Sequence, residues 1–143
     1  MIGATTATGS SVHVSSPSPS RVRVVFNGRF MAQVHTGVQR YAAETLLALD
    51  ALLAAQPELA ARWQFELALP AGARPLPLAC IRSVHLPGGS SHLWEQWPLL
   101  RHSRGAFLVN FNYSGPLLKR RQLITVHDAT VRAMPQAFSR RYR

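Results

Sequence analysis

Acidic side chains are scarce in this chain: six Asp and Glu stand against sixteen Lys and Arg, for a formal net charge of +10. A paired-carboxylate mechanism therefore has little to draw on. Glu44 and Glu58 fall on or beside a helix, and strand alternation turns Glu66 outward. Cysteine is scarcer still. The single Cys80 excludes an internal disulfide and a cysteine-based zinc cluster, fits a reducing compartment, and reads as a buried apolar filler. No stretch approaches the roughly 20 apolar residues of a membrane span, and the start lacks the basic and apolar pattern of a secretory signal. Also missing are a Cys/His metal constellation, a G-x-S-x-G elbow, a P-loop and the G-x-G-x-x-G dinucleotide fingerprint.

What is present is a chain able to fold. Hydrophobic residues make up 47% and charged residues 15% of its 143 positions, which excludes wholesale disorder and fits one domain. The positive charge favours polyanions, whether nucleic acid, anionic lipid or phosphorylated substrates. The arginines are nonetheless scattered from Arg21 to Arg143, and compositional bias toward Arg and Ala accounts for them at least as well.

Residues 1–20 are rich in Ser, Thr, Gly and Pro, and read as a disordered leader; residues 21–143 read as the folded domain. Arg21 to Asn27 is a β-branched, aromatic run that predicts a first strand. A long helix then opens at Thr36-Gly37-Val38, with Val38, Tyr41, Ala42, Thr45, Leu46, Leu49, Leu52 and Leu53 as its apolar face and an end at Gln56-Pro57. Further strands are expected at Trp63 to Leu69, Cys80 to Leu86, Ala106 to Asn110 and Gln122 to His127, with a helix broken by Pro98 between His92 and His102. Alternation of this kind predicts an α/β fold: a Rossmann-like parallel sheet with helices on both faces and ligand sites at the carboxyl ends of the strands.

Four segments can carry chemistry. Thr125-Val126-His127-Asp128 is a strand ending in two ionisable groups; His127 can contact a sugar hydroxyl or phosphate, with Asp128 fixing its tautomer or capping the next turn. Spacing alone favours the plainer reading, in which a backbone carbonyl satisfies His127 and Asp128 caps a turn into Ala129-Thr130. Thr36 and Gly37 sit where a helix start can receive a phosphate, or where Thr36 is simply an N-cap. Asn110, Asn112 and Tyr113 lie in a polar, aromatic loop suited to sugar hydroxyls, or form an ordinary turn. Trp94 and Trp97 are expected to fill a core.

Taken in order, Thr36-Gly37-Val38-Gln39-Arg40-Tyr41, Leu93-Trp94-Glu95-Gln96, Thr125-Val126-His127-Asp128 and Pro135-Gln136-Ala137-Phe138-Ser139 resemble the N-terminal domain of family 4 glycosyltransferases, the retaining group with a GT-B fold. The resemblance runs from about Arg21 to the end. It implies transfer of a sugar from a nucleotide-diphosphate donor to a glycan or lipid-linked acceptor, with His127 contacting the donor sugar and Gly37 lying near the donor phosphates. It implies no metal and no resident cofactor and argues against a nucleic-acid partner; the lone cysteine and the missing export signal point to a cytoplasmic protein, and the basic surface would suit peripheral contact with an anionic membrane. It further leads us to expect a donor-binding domain beyond Arg143, without which the chain is inactive. Asn27 stands where such strands often end in Asp. The rival readings are a basic nucleic-acid-binding module and a non-catalytic interaction domain on the same fold.

Overall fold

The structure is a computed structural model describing residues 21–34 and 36–127. Its elements are β1 (Val22–Asn27), a 3-10 turn (Gly28–Ala32), α1 (Gly37–Ala55), α2 (Pro57–Arg62), β2 (Trp63–Pro70) and β3 (Arg82–Leu86). Next come α3 (His92–Trp94), a π-helical stretch (Glu95–Leu99), α4 (Leu100–His102), β4 (Phe107–Asn110) and β5 (Gln122–Ile124). The strands form one five-stranded sheet in the order β3-β2-β1-β4-β5, with every pairing parallel. This is the Rossmann-like α/β arrangement that the alternation of the sequence predicts.

Strand register assigns each residue to a face. Val24 and Phe26 of β1 align with Phe65 and Leu67 of β2, and this face packs Leu67 and Leu69 against Ala42, Leu46 and Leu53 of α1. The opposite face carries Val25, Ala68 and Leu108, covered by Trp94 and Leu99 from the 92–102 helical segment. Burial of each large side chain here contributes about 1.5–3 kcal/mol. Because the middle strands are covered on both sides, β2 is buried continuously from Glu66 to Pro70 rather than in alternation.

The buried stripe of α1 is Gln39, Ala42, Leu46, Asp50 and Leu53, rotated from the expected one so that Tyr41 and Leu52 are exposed. Two polar residues cause the rotation. The Asp50 carboxylate accepts hydrogen bonds from the backbone N–H groups of Ala79, Cys80 and Ile81, each at 2.8 Å. This pins the β2–β3 connection to the helix and satisfies a buried charge. Gln39 donates to Gln33 at 3.0 Å and receives the Thr36 N–H at 3.1 Å, closing the helix start.

Other expectations need correction. Cys80 is exposed, because its backbone N–H, not its thiol, is what turns toward Asp50. Trp94 is core, but Trp97 is 72% exposed. Strand β5 ends at Ile124 rather than His127, although the Thr125 N–H still donates to Asn110 at 2.9 Å. The Pro98 break is a π-helical widening, which absorbs the missing N–H without ending the helical path.

Candidate functional site

The chain builds β1 to β3 on one side of β1 and then β4 and β5 on the other, so the strand order reverses between β1 and β4. Open α/β sheets bind ligands outside the carboxyl ends of strands at such a point. Here those ends are Asn27 and Asn110, and a polar network fills the space above them. Asn27 Nδ2 donates to Glu95 Oε1 at 2.8 Å and to Asn110 Oδ1 at 3.0 Å, while its Oδ1 accepts from the Arg29 N–H at 3.1 Å.

Glu95 is completely buried, brought in by the π-helical stretch. Its carboxylate faces Arg29 Nη1 at 3.5 Å, His92 Nδ1 at 3.0 Å and the Ser114 hydroxyl at 3.1 Å. Arg29 is anchored in turn by donating from Nε to the Ser90 carbonyl at 2.7 Å. The 3-10 turn carrying Arg29 crosses the end of β2 so closely that a Cβ on Gly28 would strike the Ala68 carbonyl.

The loop after β4 links this network to a second group of residues. Asn112 Nδ2 donates to Gln33 at 2.7 Å, and Gln33 also binds Gln39, beside Thr36. Asn112 Oδ1 is buried without a hydrogen-bond partner. The Phe111 carbonyl accepts from His127 Nε2 at 2.6 Å. Tyr41 and Tyr113 flank the His127 ring edge-on, with centroids 5.1 and 5.4 Å away. With Nε2–H committed to a carbonyl, the neutral imidazole presents Nδ1 as its acceptor.

The structure therefore gathers Thr36, Asn112, Tyr113 and His127 at one edge of the sheet. Gly37 is exposed on the first turn of α1, where a Cβ would meet nothing within 4 Å. Asn110 is drawn inward instead: it is fully buried, and its Nδ2 donates to Gln122 and to the Leu123 carbonyl, so its amide ties β4 to β1 and β5. Asp128 and residues 135–139 lie outside the described residues. Sequence reasoning gave no site role to Asn27, Arg29, His92 or Glu95, although it singled out Asn27 and the segment that holds Glu95. The available signal was an acid embedded in the apolar run from Leu93 to Leu100, where a solvated face has no reason to be.

A separate ionic cluster sits toward the other end of the sheet. Glu66 is buried rather than turned outward, because α4 covers that face and its residue His102 joins Arg23 and Arg82 around the carboxylate. Arg23 Nη2 lies at 2.7 Å and His102 Nε2 at 2.9 Å. Burial on its own would raise the Glu66 carboxyl, but hydrogen bonds from Arg23, Arg82 and His102 hold it down at about 2 against the usual 4.5. Burial, with Arg121 and Arg23 as repelling neighbours, lowers Lys119.

Among the described residues no group of His, Cys, Asp and Glu is placed to hold a metal ion, and no helix is long and apolar enough to cross a membrane. Compared with known proteins, the chain matches no family profile, no curated protein and no solved structure.

Proposed function

We propose that this chain forms the acceptor side of a cytoplasmic, metal-independent glycosyltransferase that takes a sugar from a nucleotide-diphosphate donor. The observation that carries this reading is the placement of His127. It stands at the carboxyl edge between Tyr41 and Tyr113, its tautomer set by the Phe111 carbonyl. A neutral ring so fixed accepts a sugar hydroxyl at Nδ1, and a protonated one donates there to a phosphate oxygen. The aromatic rings supply faces on which a sugar can stack. Nearby, the exposed first turn of the 19-residue α1 offers N–H groups and the positive end of the helix to a diphosphate, with open space above Gly37. The acceptor, a glycan or a lipid-linked sugar, would approach over the Asn112–Tyr113 loop.

NMR titration of the 15N-labelled chain with UDP-glucose and GDP-mannose tests this reading. Shift changes are expected to centre on Thr36, Gly37, Tyr113 and His127, and His127→Ala should weaken binding about 10-fold, the worth of one hydrogen bond. Changes centred elsewhere, or an undiminished affinity in the variant, would sink the assignment.

A further inference from the structure

We propose that the surface beside the amino ends of β4 and β5 docks on an anionic membrane, with Leu117 and Leu118 as an apolar wedge and Arg104, Arg120 and Arg121 as its cationic collar. The two leucines occupy the centre of a tight turn closed by the Lys119 N–H donating to the Pro116 carbonyl at 3.2 Å. They are 87% and 82% exposed.

Leucines at a loop tip ordinarily fold back onto the surface, but here the backbone is clamped from beneath. Gln96 accepts the Leu117 N–H at 2.9 Å and donates to the Gly115 carbonyl at 3.2 Å. Gln122 donates to the Pro116 and Lys119 carbonyls at 2.9 and 2.7 Å. Lys119 Nζ reaches inward to the Ala106 carbonyl at 2.7 Å. These polar groups are tied to the body of the protein, and the leucines are left facing water. Holding them there costs stability that a soluble surface gives no return for, whereas a lipid headgroup layer would repay it by burying them.

Charge selects the kind of lipid. A hollow of about 400 Å³ beside the turn is lined by Leu100, Leu118, Arg104, Lys119, Arg120 and Arg121 among others. No acid occurs from residue 96 to residue 121, and Glu95 is buried in its own network. The exposed acids of the described residues, Glu44 and Glu58, belong to α1 and α2. The patch thus sets three arginines beside an apolar tip, the pattern that binds anionic bilayer surfaces through coulombic attraction plus shallow insertion. Nucleic acid would use the arginines but gain nothing from the leucines, and no aromatic lines the hollow to stack on bases. The proposal is independent of the transferase reading, since it concerns the amino rather than the carboxyl ends of the strands.

Flotation with phosphatidylcholine vesicles, with and without about 30% phosphatidylglycerol, tests it. The chain should partition at least about 10-fold more strongly to the anionic vesicles, and less as NaCl rises from about 0.1 M to 0.5 M. Leu117→Ser with Leu118→Ser should cut partitioning about 10-fold or more. Arg120→Gln with Arg121→Gln should cut it about 30-fold, near 1 kcal/mol per lost charge. Far-UV circular dichroism checks that both variants keep the fold. Equal partitioning to the two vesicle types, or indifference to either pair of substitutions, overturns the proposal. So does binding to a labelled DNA duplex that the arginine pair weakens and the leucine pair leaves unchanged, in a chain that does not float.

Discussion

Asn27 shows how one atom can decide a site. Its Nδ2 donates to both Glu95 and Asn110 while its Oδ1 caps the following turn through the Arg29 N–H. An aspartate could keep the cap, but it has no donor for Glu95 and would place two carboxylates at hydrogen-bond distance in a buried space. An amide rather than a carboxylate at this strand end thus suits the buried Glu95 beside it. Asn27→Asp is expected to destabilise the protein by about 3 kcal/mol at pH 7, the scale of an uncompensated buried charge. Urea denaturation of both proteins at pH 7 measures this; an unchanged stability in the variant would mean that the two carboxylates do not meet.

At the scale of elements, the covered face of the sheet places its charge in discrete knots. Along β1 it runs from Arg23 through Val25 to Asn27, so an ionic cluster, a thin apolar layer and a polar network follow one another. Glu66 carries the first of these. Its pKa is lower folded than unfolded, so its stabilisation is complete above about 4.5, declines as pH falls toward about 2, and is gone below that. Partly exposed partners screen the pairs, which leaves a contribution of about 2–3 kcal/mol. Acid titration of stability should show this slope between those two values, and Glu66→Gln should flatten it; an unchanged slope in the variant would assign acid sensitivity to other carboxylates. The same elements show what the sequence made legible. The β-branched runs and the period of α1 announce a parallel α/β sheet, because apolar burial writes itself into spacing. Glu66 and Asp50 were not legible, since each is buried with partners up to 43 positions away in the chain and a lone acid in a sequence reads as solvated; Glu95 was marked only by its apolar neighbours, and its partners lie up to 68 positions away. The carboxyl-edge residues were half legible: a strand end marks His127, whereas Asn110 looks equally polar and is consumed by the sheet. That distinction depends on Gln122 and Leu123 arriving from β5.

For the molecule as a whole, the balance of charge is set by what is buried. Of the acids in the described residues, Asp50, Glu66 and Glu95 are inside and engaged, so the surface carries Glu44 and Glu58 against a far larger number of arginines. A formal charge of +10 on 143 residues makes the compact state repel itself. Two effects of salt then compete. Screening weakens the ion pairs around Glu66, but that carboxylate is 1% exposed and its pairs are short, so they lie well inside any Debye length. The repulsion among exposed arginines acts over longer distances and is screened first. Raising NaCl from about 0.05 M to 0.5 M shortens the Debye length from roughly 14 to 4 Å, enough to remove most of the repulsion and little of the pairing. The urea midpoint is therefore expected to rise with salt at constant slope. A midpoint that falls instead would show that surface ion pairs, rather than net repulsion, govern the stability of this fold.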